Sequence, residues 1–169
     1  MKVAFLDRDG TIVRDYPDED WKGKTVPELL EDAIEGMKLF IQLGFEIIIV
    51  TNQYIINDGI ISFEEYKKFT RNLEKIFEEN GVKVLDIFYC PHSDIDKCDC
   101  KKPKTGMIQS AMNKYPLIDL EGSIMIGDSK SDEELAMNMN LSFYMVNSSL
   151  IESNCTYRSI KDIVENNFY

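Results

Sequence analysis

Two sets of residues in this sequence are spaced for chemistry. The first is carboxylates: Asp7 and Asp9 in FLDRDGTI, and Asp128 and Asp132 in MIGDSKSD. Two places apart on an extended chain, Asp7 and Asp9 project to the same side. With Asp128 brought in from a neighbouring strand, three acids repel one another unless a divalent cation lies between them. All-oxygen ligands that leave room for water and phosphate suit Mg²⁺. An ionised carboxylate beside such a cation is a competent nucleophile toward phosphorus. The metal and a nearby lysine then neutralise the transferring group. A second carboxyl, its pKa raised by like charges, serves as general acid and base.

The second set lies in YCPHSDIDKCDCKKP, where Cys90, His92, Cys98 and Cys100 bring three thiols and the sole histidine into one short loop. Three thiolates and an imidazole are the ligands of a closed tetrahedral zinc site; a catalytic zinc keeps one position open. The loop therefore reads as a structural Zn²⁺ site. Clustered cysteines in a cytosolic chain point to metal rather than to disulfides. Cys155 stands apart and reads as a free thiol.

Competing motifs fail on detail. A calcium-binding EF-hand loop needs glycine at its sixth position and glutamate at its twelfth; Gly10 is fourth counted from Asp7, and the twelfth is Asp18. Gly23-Lys24-Thr25 has the ending of a nucleotide-binding P-loop, but Asp18 stands where the opening glycine belongs.

Alternating strands and helices must position these residues. Strands are expected at Lys2–Leu6, Phe45–Val50, Val84–Tyr89, Ser123–Ile126 and Leu141–Val146, where short apolar runs occur. Helical spacing marks Pro27–Leu43, with Thr25 and Glu28 spaced as a capping box, and a second capping box at Ser62 and Glu65 opens a helix to about Asn80. Further helices are expected at Gly106–Lys114, Ser131–Asn138 and Ser159–Asn166. This alternation predicts an α/β fold, a parallel sheet with helices on both faces, whose ligands bind beyond the carboxyl ends of the strands. Asp7, Thr51, the cysteine loop and Asp128 all follow strands, so one rim collects every polar motif.

The 169 residues suit one domain, 1–169, with a sizeable core. The opening MKVAFLD meets an acid at position 7, unlike a signal peptide, and no apolar run approaches the roughly 18 residues of a membrane span. A soluble, cytoplasmic protein with no membrane partner is expected. The net charge of −11 disfavours nucleic acid. Nothing in the sequence fixes the oligomeric state.

Four polar motifs in this order resemble the haloacid dehalogenase (HAD) superfamily of phosphohydrolases: FLDRDGTI its first motif, VTNQ its second, CKKPKTGM its third and MIGDSKSD its fourth. The resemblance spans nearly the whole chain. It implies a three-layer, Rossmann-like domain and an aspartyl-phosphate mechanism. Asp7 would be the nucleophile and Asp9 the general acid and base. Thr51 and Lys102 would hold the phosphoryl group. Mg²⁺ would be bound by Asp7, the backbone carbonyl of Asp9 and Asp128, with Asp132 nearby. Asn52 and Gln53 are read as substrate-binding.

CPH…CDCKKP further resembles the branch containing D-glycero-D-manno-heptose 1,7-bisphosphate phosphatases and histidinol-phosphate phosphatases, in which the zinc loop, here 90–100, forms a wall of the active site. Lys101 stands where that branch carries a substrate-recognising Arg, and lysine lacks the bidentate fork. YIINDGII after TNQ departs from the heptose type, which has a small residue and an Arg there. No insertion is long enough for a separate cap domain, and 54–61 is the nearest thing to a lid. Residues 14–24 flank the mouth, with Trp21 either a substrate wall or a packed anchor. The expected activity is Mg²⁺-dependent hydrolysis of a small phosphorylated metabolite, with heptose bisphosphate first. Histidinol phosphate, a nucleic-acid 3′-phosphate and a non-catalytic zinc-stabilised binding module are the alternatives.

Overall fold

The computed structural model describes residues 1–146 and 156–169, so Cys155 lies outside the described residues. Six parallel strands form one sheet: β1 (Val3–Leu6), β2 (Glu46–Asn52), β3 (Val84–Cys90), β4 (Ile124–Gly127), β5 (Ser142–Val146) and β6 (Thr156–Tyr157), in the order β3-β2-β1-β4-β5-β6. The short β6 carries no apolar run that would announce it.

The central strands are apolar throughout because both faces are covered. Ala4 and Leu6 of β1, Ile47 and Ile49 of β2 and Ile126 of β4 point into one core, with α1 (Ala33–Gln42), α2 (Phe63–Glu79) and α5 (Ile160–Asn167). Their neighbours Val3, Phe5, Ile48, Val50 and Met125 point into the other, with α3 (Gly106–Lys114) and α4 (Lys130–Met139). This period-two alternation makes a three-layer stack from local sequence.

One expected helix starts later than its spacing predicts. Residues 27–32 are not helical, and Thr25 with Glu28 forms no capping box. Instead Leu30 N–H donates to Ile12 C=O and Arg14 N–H to Glu28 C=O, an antiparallel bridge at Val13 and Leu29. The Glu28 carboxylate accepts from Tyr16 Oη and Arg14 rather than from a cap. A partner distant in sequence outcompeted the local signal. The Ser62–Glu65 capping box does form and opens α2.

In strand order the chain steps from β1 to β2 and β3 on one side, then returns to place β4 on the other side of β1. A crevice opens where connections diverge, beyond the carboxyl ends of β1 and β4. Asp7 and Asp128 follow those two strand ends directly.

Candidate active site

A cavity of about 200 Å³ occupies that crevice, lined among others by Asp7, Asp9, Thr51, Gln53, Lys102 and Asp128. Asp7 and Lys102 are buried and joined by a short ion pair. Lys102 Nζ also donates to Asp132 at 2.7 Å and to Val50 C=O at 2.9 Å. Burial pulls the lysine's pKa down, but Asp7 and Asp132 outweigh it and hold the ammonium above its ordinary value. Lys102 is thus a fixed positive charge beside Asp7.

Two hydrogen bonds place that lysine from a distance. Asn52, at the end of β2, accepts from Lys102 N–H at 2.9 Å and donates to Lys102 C=O at 3.2 Å. Asn52 lines the cavity, yet its amide clasps the backbone of the residue that carries the charge.

The Asp9 carboxylate is gripped on two sides. Arg8 donates to both its oxygens at 2.8 Å, and Gln53 Nε2 donates at 2.6 Å. Gln53 Nε2 also reaches Thr51 Oγ1 at 2.9 Å, which leaves the Thr51 hydroxyl proton free to donate. Gln53 Oε1 is buried without a hydrogen-bond partner among the described residues. Sequence reasoning missed Arg8. Its guanidinium is buried and lies over Phe69 at 4.8 Å, with Trp21 and Tyr66 within 5.8 Å. No local signal marks it, since Arg8 lies just past β1 and its aromatic neighbours are distant in sequence. Trp21 is a buried anchor, edge-on to Tyr16 and Phe69, that also lines the cavity.

Carboxylate oxygens of Asp7, Asp128 and Asp132 lie within 4.8 Å of one another. Burial pushes Asp7 well above the ordinary carboxylate range; Lys102 pulls it back, while Asp132 and Asp9 add to the rise. Burial and then Asp132 push Asp128 up to about 6. Burial and neighbouring acids thus disfavour the ionised carboxylates unless a cation compensates them, and the donors are all oxygen, which fits a hard divalent cation such as Mg²⁺. Both Asp132 oxygens are already engaged, Oδ1 by Lys102 and Oδ2 by Ser129 at the start of α4. Two glycines make the convergence sterically feasible. A Cβ on Gly10, at φ +83°, would fall 2.0 Å from Asp128 Oδ2, and one on Gly127 would fall 2.4 Å from Asp132 Cβ.

The second cluster forms as its spacing predicts. One donor atom each from Cys90, His92, Cys98 and Cys100 lies within 4.8 Å of the others. Cys90 Sγ is 3.5 Å from both Cys98 Sγ and His92 Nδ1, and Cys100 Sγ is 3.1 Å from His92 Nδ1. These separations, and the 2.9 Å between Cys90 and Cys100 Sγ, lie at or below the edges of a tetrahedron with zinc–ligand bonds of about 2.0–2.3 Å. Burial raises the Cys98 thiol, but N–H groups of Lys101 and Cys100 outweigh it and lower it to about 7. Backbone donors aimed at the Cys98 sulfur favour its thiolate, whereas burial raises the Cys90 and Cys100 thiols. Lys101 sits just outside the reaction cavity, paired with Asp94 at 2.8 Å.

A metal-ready carboxylate pair, a fixed lysine and a positioned hydroxyl can take up and stabilise a phosphoryl group. Residues 2–148 match the family model described as polynucleotide kinase 3 phosphatase. A probable D-glycero-D-manno-heptose-1,7-bisphosphate 7-phosphatase of Thermoplasma volcanium is 35% identical over 147 residues, 86% of this chain and 99% of that protein. The D-glycero-alpha-D-manno-heptose-1,7-bisphosphate 7-phosphatase of Photorhabdus laumondii is 41% identical over 143 residues, covering 78% of this chain and 74% of its own length. A histidine biosynthesis bifunctional protein HisB of Campylobacter jejuni is 34% identical across 83% of this chain, which matches 40% of that protein. Among solved structures, the D,D-heptose 1,7-bisphosphate phosphatase from B. bronchiseptica, complexed with magnesium and phosphate, shares the fold with a TM-score of 0.81 at 23% identity, covering 98% of this chain and 97% of its own. The chain belongs to the polynucleotide kinase 3 phosphatase family and is a HAD-type phosphatase.

Proposed function

We propose that this protein hydrolyses a phosphomonoester of a small sugar metabolite, of the D-glycero-D-manno-heptose 1,7-bisphosphate type, through an aspartyl-phosphate on Asp7. The observation that carries the reading is the buried Asp7–Lys102 pair beside Asp128, at the switch point of a sheet whose sequence relatives are named heptose bisphosphate phosphatases.

Asp7 attacks phosphorus, forming the oxygen–phosphorus bond as the bond to the leaving alcohol breaks. Lys102 holds the Asp7 carboxylate in register and offers positive charge to the equatorial oxygens. Thr51 donates its hydroxyl proton to one of them, because Gln53 already occupies its acceptor side. Asp9 protonates the departing oxygen, then takes a proton from the water that cleaves the acyl phosphate. Arg8 and Gln53 aim Asp9. Asp7, Asp128 and the Asp9 carbonyl would hold Mg²⁺, which when bound neutralises charge on the phosphoryl oxygens. Asp132 anchors Lys102, caps α4 and stands beside the metal position as its weaker ligand.

Cys90, His92, Cys98 and Cys100 bind a structural Zn²⁺ in this reading and fix where Lys101 and Lys102 stand. A reducing cytoplasm keeps those thiols available. Residues 1–169 act as one domain, and the described residues form no separate cap. Histidinol phosphate is the second reading, favoured by Asp15 and Asp18 on the cavity wall, which complement an amine better than a second phosphate. Comparing kcat/KM for heptose bisphosphate, histidinol phosphate and a 3′-phosphorylated oligonucleotide decides the matter. The bisphosphate is expected to lead; a lead for either of the others rejects it.

A further inference from the structure

β3 is an edge strand of the sheet, and α2 is the helix that leads back to it. A groove of about 820 Å³ opens between them, and it shares no lining residue with the reaction cavity. Its floor is apolar. Tyr66, Phe77 and Val82 are buried there, while Phe63, at the start of α2, is 45% exposed beside the rings of Tyr66 and Tyr89.

The charges along α2 are ordered. Lys67, Arg71, Glu74 and Glu78 recur at helical spacing, so all four stand on one stripe along the groove. Both cations come first and both acids second. Within one chain this order is unfavourable, because Lys67 with Arg71 and Glu74 with Glu78 are like charges one turn apart. Little in the chain relieves it. Lys67 pairs with Glu64, whose side chain is 74% exposed, and Arg71, Glu74 and Glu78 form no ion pair among the described residues.

Turned end for end, the stripe matches itself. A two-fold axis midway between Arg71 and Glu74 is also midway between Lys67 and Glu78 and between Phe63 and Val82. The far end of the groove has room for a ring, since a Cβ on Gly81 would meet nothing within 4 Å. Such self-complementarity is what a closed two-fold contact requires. A small-molecule site instead converges its polar groups on one point, whereas these are sorted by sign along about three helical turns. Strand addition to β3 is opposed. Asp86 engages Ile87 N–H at 2.8 Å, Tyr115 Oη reaches Leu85 C=O at 3.4 Å, and a charge on an edge strand disfavours pairing.

We infer that α2 and its groove form a two-fold interface with a second copy of this chain. Lys67 and Arg71 of one protomer face Glu78 and Glu74 of the other, and Phe63 enters the Gly81–Val82 end of the opposite groove.

The test measures self-association of the full chain by sedimentation equilibrium. The samples are wild type, Arg71→Glu, Glu74→Arg and an equimolar mixture of the two variants. Both positions are exposed, so the variants are expected to keep the wild-type circular dichroism spectrum and Tm. Wild type is expected to form dimers and no larger species. Each single reversal sets like charges across the axis twice and is expected to weaken the dimer Kd about tenfold or more. In the mixture one chain carries two acids and the other two cations, so both crossings become attractive again. Dimers are expected to return to within about threefold of the wild-type Kd. A wild type that stays monomeric at its highest soluble concentration overturns the inference. So do single variants that dimerise as wild type does, and a mixture that stays as weak as its components.

Discussion

Lys102 shows how much of this site is arranged by contacts among its own residues. Its ammonium is placed by Asp7, Asp132 and Val50, and its backbone by Asn52. Asn52→Ala is expected to lower kcat about 10–100-fold with a smaller change in KM, the scale of a displaced catalytic group. Steady-state phosphate release measures it, and an unchanged kcat would remove Asn52 from the positioning set. The acids make a second residue-level prediction. Burial raises the pKa of Asp128 to about 6 and also raises Asp7. Unfolded carboxylates titrate near 4. The folded protein without metal therefore binds more protons, and this contribution favours folding at low pH and is lost as pH rises through about 6. Mg²⁺ needs the charged form, so its stabilisation runs the other way. Millimolar Mg²⁺ is expected to raise Tm more at pH 7.5 than at pH 5. Equal increments at both pH values would argue against a carboxylate metal site.

At the scale of elements, the Cys90–Cys100 loop leads directly into the two lysines. It begins at the last residue of β3, turns through Ser93–Asp96, and delivers Lys101 and Lys102 directly after Cys100. Cys98→Ser, or stripping with a strong chelator, is expected to lower Tm and to cut kcat together with zinc content. Activity retained in zinc-free, folded protein would show the loop to be independent of the metal. The sequence made this loop legible because its ligands are neighbours in the chain. It made α2 legible for the same reason, since Ser62 and Glu65 cap within one turn. It misled at Pro27–Asp32, where a local helical pattern yields to pairing with residues 12–14. Arg8 and the Asn52 clasp were illegible on similar grounds. Their partners are an aromatic cluster and a backbone 50 residues away, which only the folded chain brings together.

The whole molecule supplies the crevice and its field. A sheet covered on both faces leaves the carboxyl rim as the place where Asp7, Thr51, Lys102 and Asp128 can meet, and the strand pattern alone foretold that rim. No helix among the described residues is long and apolar enough to cross a membrane. A net charge of −11, with Asp15 and Asp18 at the cavity wall, opposes a polyanion. Duplex DNA is therefore expected not to bind even at low salt; tight binding that weakens steeply with salt would restore the nucleic-acid reading. The central claim is that Asp7 carries the phosphoryl group. Its most direct test is phosphate release from heptose bisphosphate with Mg²⁺ by wild type and by Asp7→Asn. The account predicts a loss of roughly a thousandfold or more in kcat, with fold and zinc content intact. Turnover that survives Asp7→Asn would contradict it.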